Sequence, residues 1–149
     1  MSRLHALFDH EGQSPWLDNI RRGWITNGEL ERWVARGVRG LTSNPSIFQK
    51  AIQGSAEYDQ QFTEAIGSGL DVEASYWELV TSDISAALDI LRPVYDQSEG
   101  LDGYVSVEVD PGLARNSAGT EASARELDGR FAAPNLYIKI PATAEGLAP

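Results

Sequence analysis

Four short β-patterned runs, interleaved with stretches of helical spacing, constrain this chain more than any other feature. They fall at residues 15–20, 38–43, 104–109 and 136–140. Between them apolar residues recur every three or four positions. Leu30, Trp33 and Val34 do so in 26–36, with Asn27 as its expected N-cap and Gly37 past its end. Ile47, Phe48, Ala51 and Ile52 follow Pro45, which suits a first helical turn because its missing N–H costs nothing there. Helices are also expected over 55–67, 71–95 and 120–131, the second with Trp77, Val80, Ile84, Leu88, Leu91 and Tyr95 on one face. Strands alternating with helices predict βα units and a parallel sheet.

Strand parity then sorts the side chains, because neighbours on a strand point to opposite faces. Val105, Val107 and Val109 share one face, and Ser106 and Glu108 the other. Leu136, Ile138 and Ile140 oppose Tyr137 and Lys139; Thr42 pairs with Asn44, and Trp16 with Asp18. Each run thus has an apolar face for helices to cover and a polar group near its C-terminal end: Asp18, Asn44, Glu108 and Lys139. In α/β barrels the active site is assembled at that end, from several strands.

Taken singly, each residue has a plainer reading. A lysine in an alternating strand commonly faces solvent, Glu108 could pair with any basic group, Asn44 before Pro45 shapes a turn, Asp18 suits a loop or cap, and Thr42 is simply a good strand former. Together they form a coherent set. An amine nucleophile must be available in its neutral form, which desolvation inside a barrel favours. Glu108 could move protons through a water, Asp18 could act as base toward a sugar hydroxyl, and Thr42 and Asn44 could orient hydroxyls. A cationic Schiff base is its own electron sink, so this chemistry needs no cofactor.

At these positions the chain resembles transaldolase. The resemblance rests on four ordered segments: Ser14-Pro15-Trp16-Leu17-Asp18-Asn19-Ile20, Gly40-Leu41-Thr42-Ser43-Asn44-Pro45-Ser46-Ile47-Phe48, Asp102-Gly103-Tyr104-Val105-Ser106-Val107-Glu108-Val109-Asp110-Pro111, and Asn135-Leu136-Tyr137-Ile138-Lys139-Ile140-Pro141-Ala142-Thr143. The wording is similar to the bacterial branch that includes actinobacterial enzymes, and to the transaldolase half of proteins fused to glucose-6-phosphate isomerase. The resemblance implies a (β/α)8 TIM barrel and class I Schiff-base transfer of a dihydroxyacetone unit between sugar phosphates, from sedoheptulose 7-phosphate and glyceraldehyde 3-phosphate to erythrose 4-phosphate and fructose 6-phosphate, in the non-oxidative pentose phosphate pathway. Lys139 matches the Schiff-base lysine, Glu108 the glutamate that works with a catalytic water, and Asp18 the acid/base aspartate. Asn44 and Thr42 match substrate-contacting positions.

Length is the departure. A complete barrel needs about 250 residues, and this chain has 149. The expectation is an α/β chain forming the first four or so βα units of one barrel domain over 1–149, truncated at its C-terminus. It would carry extra helices between strands 2 and 3 and lack the arginine and serine with which the family's later strands hold phosphate. Residues 144–149 look like the entry to another helix. The long helical insert argues against the smaller sugar-phosphate aldolases of the same superfamily. A non-catalytic half-barrel that pairs with a partner or itself stays open, as does an isomerase-fused parent and a homo-oligomer of the full-length enzyme.

Composition trims the alternatives. A formal net charge of −10 argues against general nucleic-acid binding, which needs a basic surface, but not against sugar phosphates held by a few local cations. No run approaches the roughly 18 apolar residues of a membrane span, and the first ten residues lack an export-type apolar core, so a soluble cytoplasmic protein is expected. With no cysteine there is no disulfide, and His5 and His10 lack the ligand cluster that a metal site requires.

Overall fold

In a computed structural model, which describes residues 2–147, the four strands form one parallel sheet. They are β1 (Trp16–Leu17), β2 (Gly40–Thr42), β3 (Val105–Glu108) and β4 (Leu136–Lys139), in spatial order β1-β2-β3-β4. The register pairs Leu17 with Leu41, Thr42 with Ser106, and Glu108 with Lys139. A strand order that follows chain order, with helical crossovers, is the topology expected of consecutive βα units. The closed barrel is not part of what these strands form.

Seven α-helices accompany the sheet among the described residues: α1 (Arg3–Glu11), α2 (Arg22–Thr26), α3 (Glu29–Ala35), α4 (Pro45–Gln53), α5 (Asp59–Gly67), α6 (Val72–Gln97) and α7 (Ser117–Phe131). The valine face of β3 is buried as parity requires, and Leu41, Val105, Val107 and Val109 pack with Leu30, Phe48, Val80, Ile84, Leu88, Leu91 and Leu127 from the helices. The apolar stripe of α6 supplies most of this cover. Its start is fixed by Asp71, whose side chain accepts a hydrogen bond from the Ala74 N–H at 2.8 Å.

Several expected elements shift. The first strand shrinks to two residues, and Ile20 enters the core from the following loop instead. The helix expected over 26–36 is α3, Glu29–Ala35, and a separate short helix, α2, precedes it at Arg22–Thr26. Gly28, at φ +74°, takes the N-cap position of α3 in place of Asn27, whose Oδ1 still accepts from the Glu29 N–H at 2.9 Å at the start of that helix. Residues 55–67 open with a 3-10 turn, Ala56–Tyr58, before α5, and α7 starts at Ser117 on an Asn116 cap. At the C-terminal end the Leu147 N–H bonds to the Thr143 carbonyl at 3.1 Å, a single helical turn; Ala148 and Pro149 lie outside the described residues. The first helix, α1, has no counterpart in the apolar pattern because it buries no side chain completely.

The sheet face opposite the helices is open. Tyr104 and Tyr137 stack on it with centroids 3.8 Å apart, Trp16 stacks on Tyr137 at 6.2 Å, and Tyr137 remains 48% exposed. Gly40 permits this arrangement, since a Cβ there would lie 2.2 Å from the Trp16 ring. Among the described residues, no helix is long and apolar enough to cross a membrane.

Candidate active site

Thr42, Glu108 and Lys139 are each the last residue of their strand, which places them together at the C-terminal edge of the open face. The registers that pair Thr42 with Ser106 and Glu108 with Lys139 bring three neighbouring strands to one point. Lys139 Nζ lies 3.3 Å from Glu108 Oε2. It donates to the Ser43 carbonyl at 3.1 Å and to Thr42 Oγ1 at 3.5 Å. Three acceptors therefore surround the Lys139 nitrogen.

Beneath the lysine, Ser106 Oγ donates to Thr42 Oγ1 at 2.8 Å, and Ser43 Oγ donates to the Ser106 carbonyl at 2.8 Å. The side chains of Lys139 and Glu108 are 41% and 22% exposed. A barrel interior would desolvate the amine; these four strands leave it open to water.

Asn44 and Asp18 stand apart from this group. Asn44 caps α4, its Oδ1 accepting from the Ile47 N–H at 2.9 Å, with Pro45 at the first helical position. Its side-chain amide N–H groups are left for other partners. Asp18 is exposed just beyond β1 and lines a separate cavity with Arg21, Trp24, Lys50 and Glu57. No hydrogen bond or ion pair among the described residues joins it to Lys139.

A cavity of about 430 Å³ opens near the same edge, lined by Asn44, Phe48, Tyr76, Trp77, Glu108 and Asp110 among others. It lies on the helix side of the sheet, with Val107 and Val80 in its wall, and Lys139 does not reach it. Burial, with Asp110 nearby, raises the Tyr76 phenol above its ordinary range. The Lys139 side chain lies on the opposite face, so this cavity is not the space over its amine.

Two contributors escaped the sequence. Ser106 shares the Glu108 face by parity, which is the signal that could have found it. The Ser43 contact is made by a backbone carbonyl, so its side chain offers no clue. No group of three or more His, Cys, Asp or Glu among the described residues is placed to hold a metal ion.

Comparison with known proteins identifies the family. Residues 15–148 match the family model described as Transaldolase/Fructose-6-phosphate aldolase. The chain belongs to that family. It is 46% identical over 149 residues to Transaldolase 2 of Nostoc punctiforme, covering 99% of this chain and 39% of the relative. It is 48% identical over 145 residues to Transaldolase 2 of Streptomyces coelicolor, covering 97% and 39%, and 48% identical over 148 residues to the transaldolase of Parafrankia sp., covering 99% and 40%. The transaldolase resemblance of the four motifs is thus borne out along nearly the whole chain. The chain spans about two fifths of the length of these relatives.

Proposed function

We propose that this chain is the N-terminal part of a transaldolase (β/α)8 barrel and that Lys139 is its Schiff-base nucleophile. The observation that carries the reading is the Glu108 carboxylate 3.3 Å from Lys139 Nζ at the C-terminal edge of a parallel sheet. Amine and proton carrier then come from adjacent strands at the end where such folds place their chemistry.

In this reading the neutral Lys139 amine attacks the ketose C2 carbonyl, and the proton it sheds reaches the new alkoxide through Glu108 and a water. The carbinolamine hydroxyl takes a proton from solvent, relayed by Glu108 and the water, and leaves as water to give an iminium. Asp18 removes the proton of the C4 hydroxyl and the C3–C4 bond breaks; its electron pair passes into the iminium to give an enamine, and the aldose phosphate departs. The enamine carbon attacks the acceptor aldehyde, the new alkoxide takes the proton back from Asp18, and hydrolysis of the iminium releases the ketose, the lysine and the relayed proton. Thr42 and the free amide of Asn44 orient substrate hydroxyls. The donor and acceptor are those of the pentose phosphate interconversion, in the cytoplasm, and no cofactor is consumed. Asp18 acts on the C4 hydroxyl, two carbons along from the C2 that Lys139 attacks, so the scheme requires no direct contact between the two side chains.

The test is borohydride trapping with fructose 6-phosphate, followed by peptide mass spectrometry. A reduced adduct on Lys139 and not on Lys50, the chain's other lysine, is expected. Absence of that adduct from the longest polypeptide the gene produces would sink the reading. The 149-residue chain alone is expected to lack full transfer activity, since its amine stands on an open face; turnover near that of a full-length relative would show otherwise.

A further inference from the structure

Resting on the Schiff-base reading above, we propose that Ser106 is a positioning residue that aims the Lys139 amine away from Glu108. Both non-carboxylate acceptors of the amine are anchored on residue 106. Its hydroxyl donates to Thr42 Oγ1, and its backbone carbonyl accepts from both the N–H and the hydroxyl of Ser43, whose own carbonyl holds Lys139. Ser106 is 3% exposed, so this hydroxyl has no water to turn to. Thr42 Oγ1 accepts from Ser106 at 2.8 Å and stands 3.5 Å from Lys139 Nζ, so the Ser106 hydroxyl is its close partner.

The consequence lies in the loose approach of Lys139 to Glu108. Charge-assisted N–H···O bonds normally close to roughly 2.7–2.9 Å. Here the separation is 3.3 Å; the shortest contact of the amine is to the Ser43 carbonyl at 3.1 Å, and Thr42 Oγ1 stands at 3.5 Å. Were the amine to close on the carboxylate, the nucleophile and the proton carrier would occupy each other. Ser106 keeps them apart by holding the competing acceptors in place, leaving one carboxylate oxygen to work on a substrate oxygen through water. Ser106 touches no reacting atom in this scheme; it acts through Thr42.

The experiment uses the longest polypeptide expressed from the gene, with dihydroxyacetone as the probe because it needs no phosphate contacts. Borohydride-trapped adduct at Lys139 is quantified against time and ketone concentration. Ser106→Ala is expected to slow adduct formation about tenfold, as misdirection of a reacting group does, while the half-saturating ketone concentration stays within about twofold. Thr42→Val should lose at least as much, since Thr42 also orients substrate hydroxyls, and the double variant no more than Thr42→Val alone. Equal trapping rates in wild type and S106A overturn the proposal and leave the Schiff-base reading standing. So does a rise in half-saturating concentration at unchanged rate, which would make Ser106 a substrate contact. If S106A does not fold, T42V decides: a wild-type rate there overturns the proposal, since the intermediate hydroxyl is gone. No adduct at wild-type Lys139 overturns the Schiff-base reading and this one with it.

Discussion

At the scale of the residue, the site is a matter of which hydrogens meet which acceptors. Lys139 has Thr42, Ser43 and Glu108 within reach, and only Glu108 can also accept a proton and pass it on. Replacing Glu108 by Gln keeps the shape and removes that capacity. Adduct formation at Lys139 should fall by about 10²–10⁴-fold, the usual contribution of a positioned acid–base group, with ketone binding retained. Quench-and-trap kinetics measure it; a loss below about threefold would reassign the proton transfer to another group. Gly40 gives a stability counterpart on the same face. A Cβ there would sit 2.2 Å from the Trp16 ring, which is itself stacked on Tyr137. Gly40→Ala should therefore cost at least the roughly 1–3 kcal/mol of an overpacked site, read as a lower urea midpoint.

At the scale of the element, Asn44 shows how one side chain can serve an element and a site. Its Oδ1 ends the orphan status of one N–H at the start of α4. Asn44→Ala should lose about 1 kcal/mol of stability, whereas Asn44→Asp keeps a good cap and should lose little. If the free amide also contacts substrate, both variants will slow adduct formation alike, and chemical denaturation beside trapping kinetics separates the two roles. The same element shows where sequence reading succeeds. Asn44-Pro45 announced both the end of a strand and the start of a helix, because cap and first-turn preferences are local. Parity on β3 was legible for a similar reason: three valines alternate with Ser106 and Glu108, and each valine is buried. The division of α2 from α3 was not legible. Leu30, Trp33 and Val34 all lie in α3, whereas α2 has five residues, too few to show a period, and the turn between the two rests on Gly28 and Asn27. Nor could spacing reveal that Glu108 faces Lys139, since register between parallel strands is set by the intervening helix and loops.

At the scale of the whole molecule, long-range polar ties join segments that the pattern treats as separate. Arg22, at the start of α2, pairs with Asp83 of α6 at 2.8 Å, and the Tyr58 hydroxyl donates to the same carboxylate at 2.7 Å. Arg22 also lies over the Tyr58 ring, 4.3 Å from its centroid. These residues are 61 and 25 positions from Asp83, and no sequence motif marks them as partners. Burial pushes the Asp83 carboxyl above its ordinary range, opposed by the hydrogen bonds from Tyr58 and Arg22. Removing the carboxylate as Asp83→Ala leaves a nearly buried guanidinium without its partner, and about 3–5 kcal/mol of destabilisation is expected from thermal or urea unfolding.

The tyrosine end of this network makes global stability depend on alkali. Burial, reinforced by the neighbouring Asp83 charge and hydrogen bond, raises the Tyr58 phenol well above its ordinary value of 10.0. An unfolded chain would ionise this group near that ordinary value while the folded chain still holds the proton. Between the two values the folded state binds more protons, so stability falls as pH rises. The contribution is fully present below about pH 10 and is lost progressively above it. Tyr76 and Tyr104 are raised in the same direction and add to the slope. Tyr58→Phe removes one titrating group but also strips Asp83 of a donor, so it should lower the melting temperature at neutral pH and make its decline across about pH 9.5–11.5 shallower. An unchanged alkaline slope in Y58F would mean that Tyr58 ionises alike in the folded and unfolded chain, and that the tie between the 3-10 turn and α6 is open in solution.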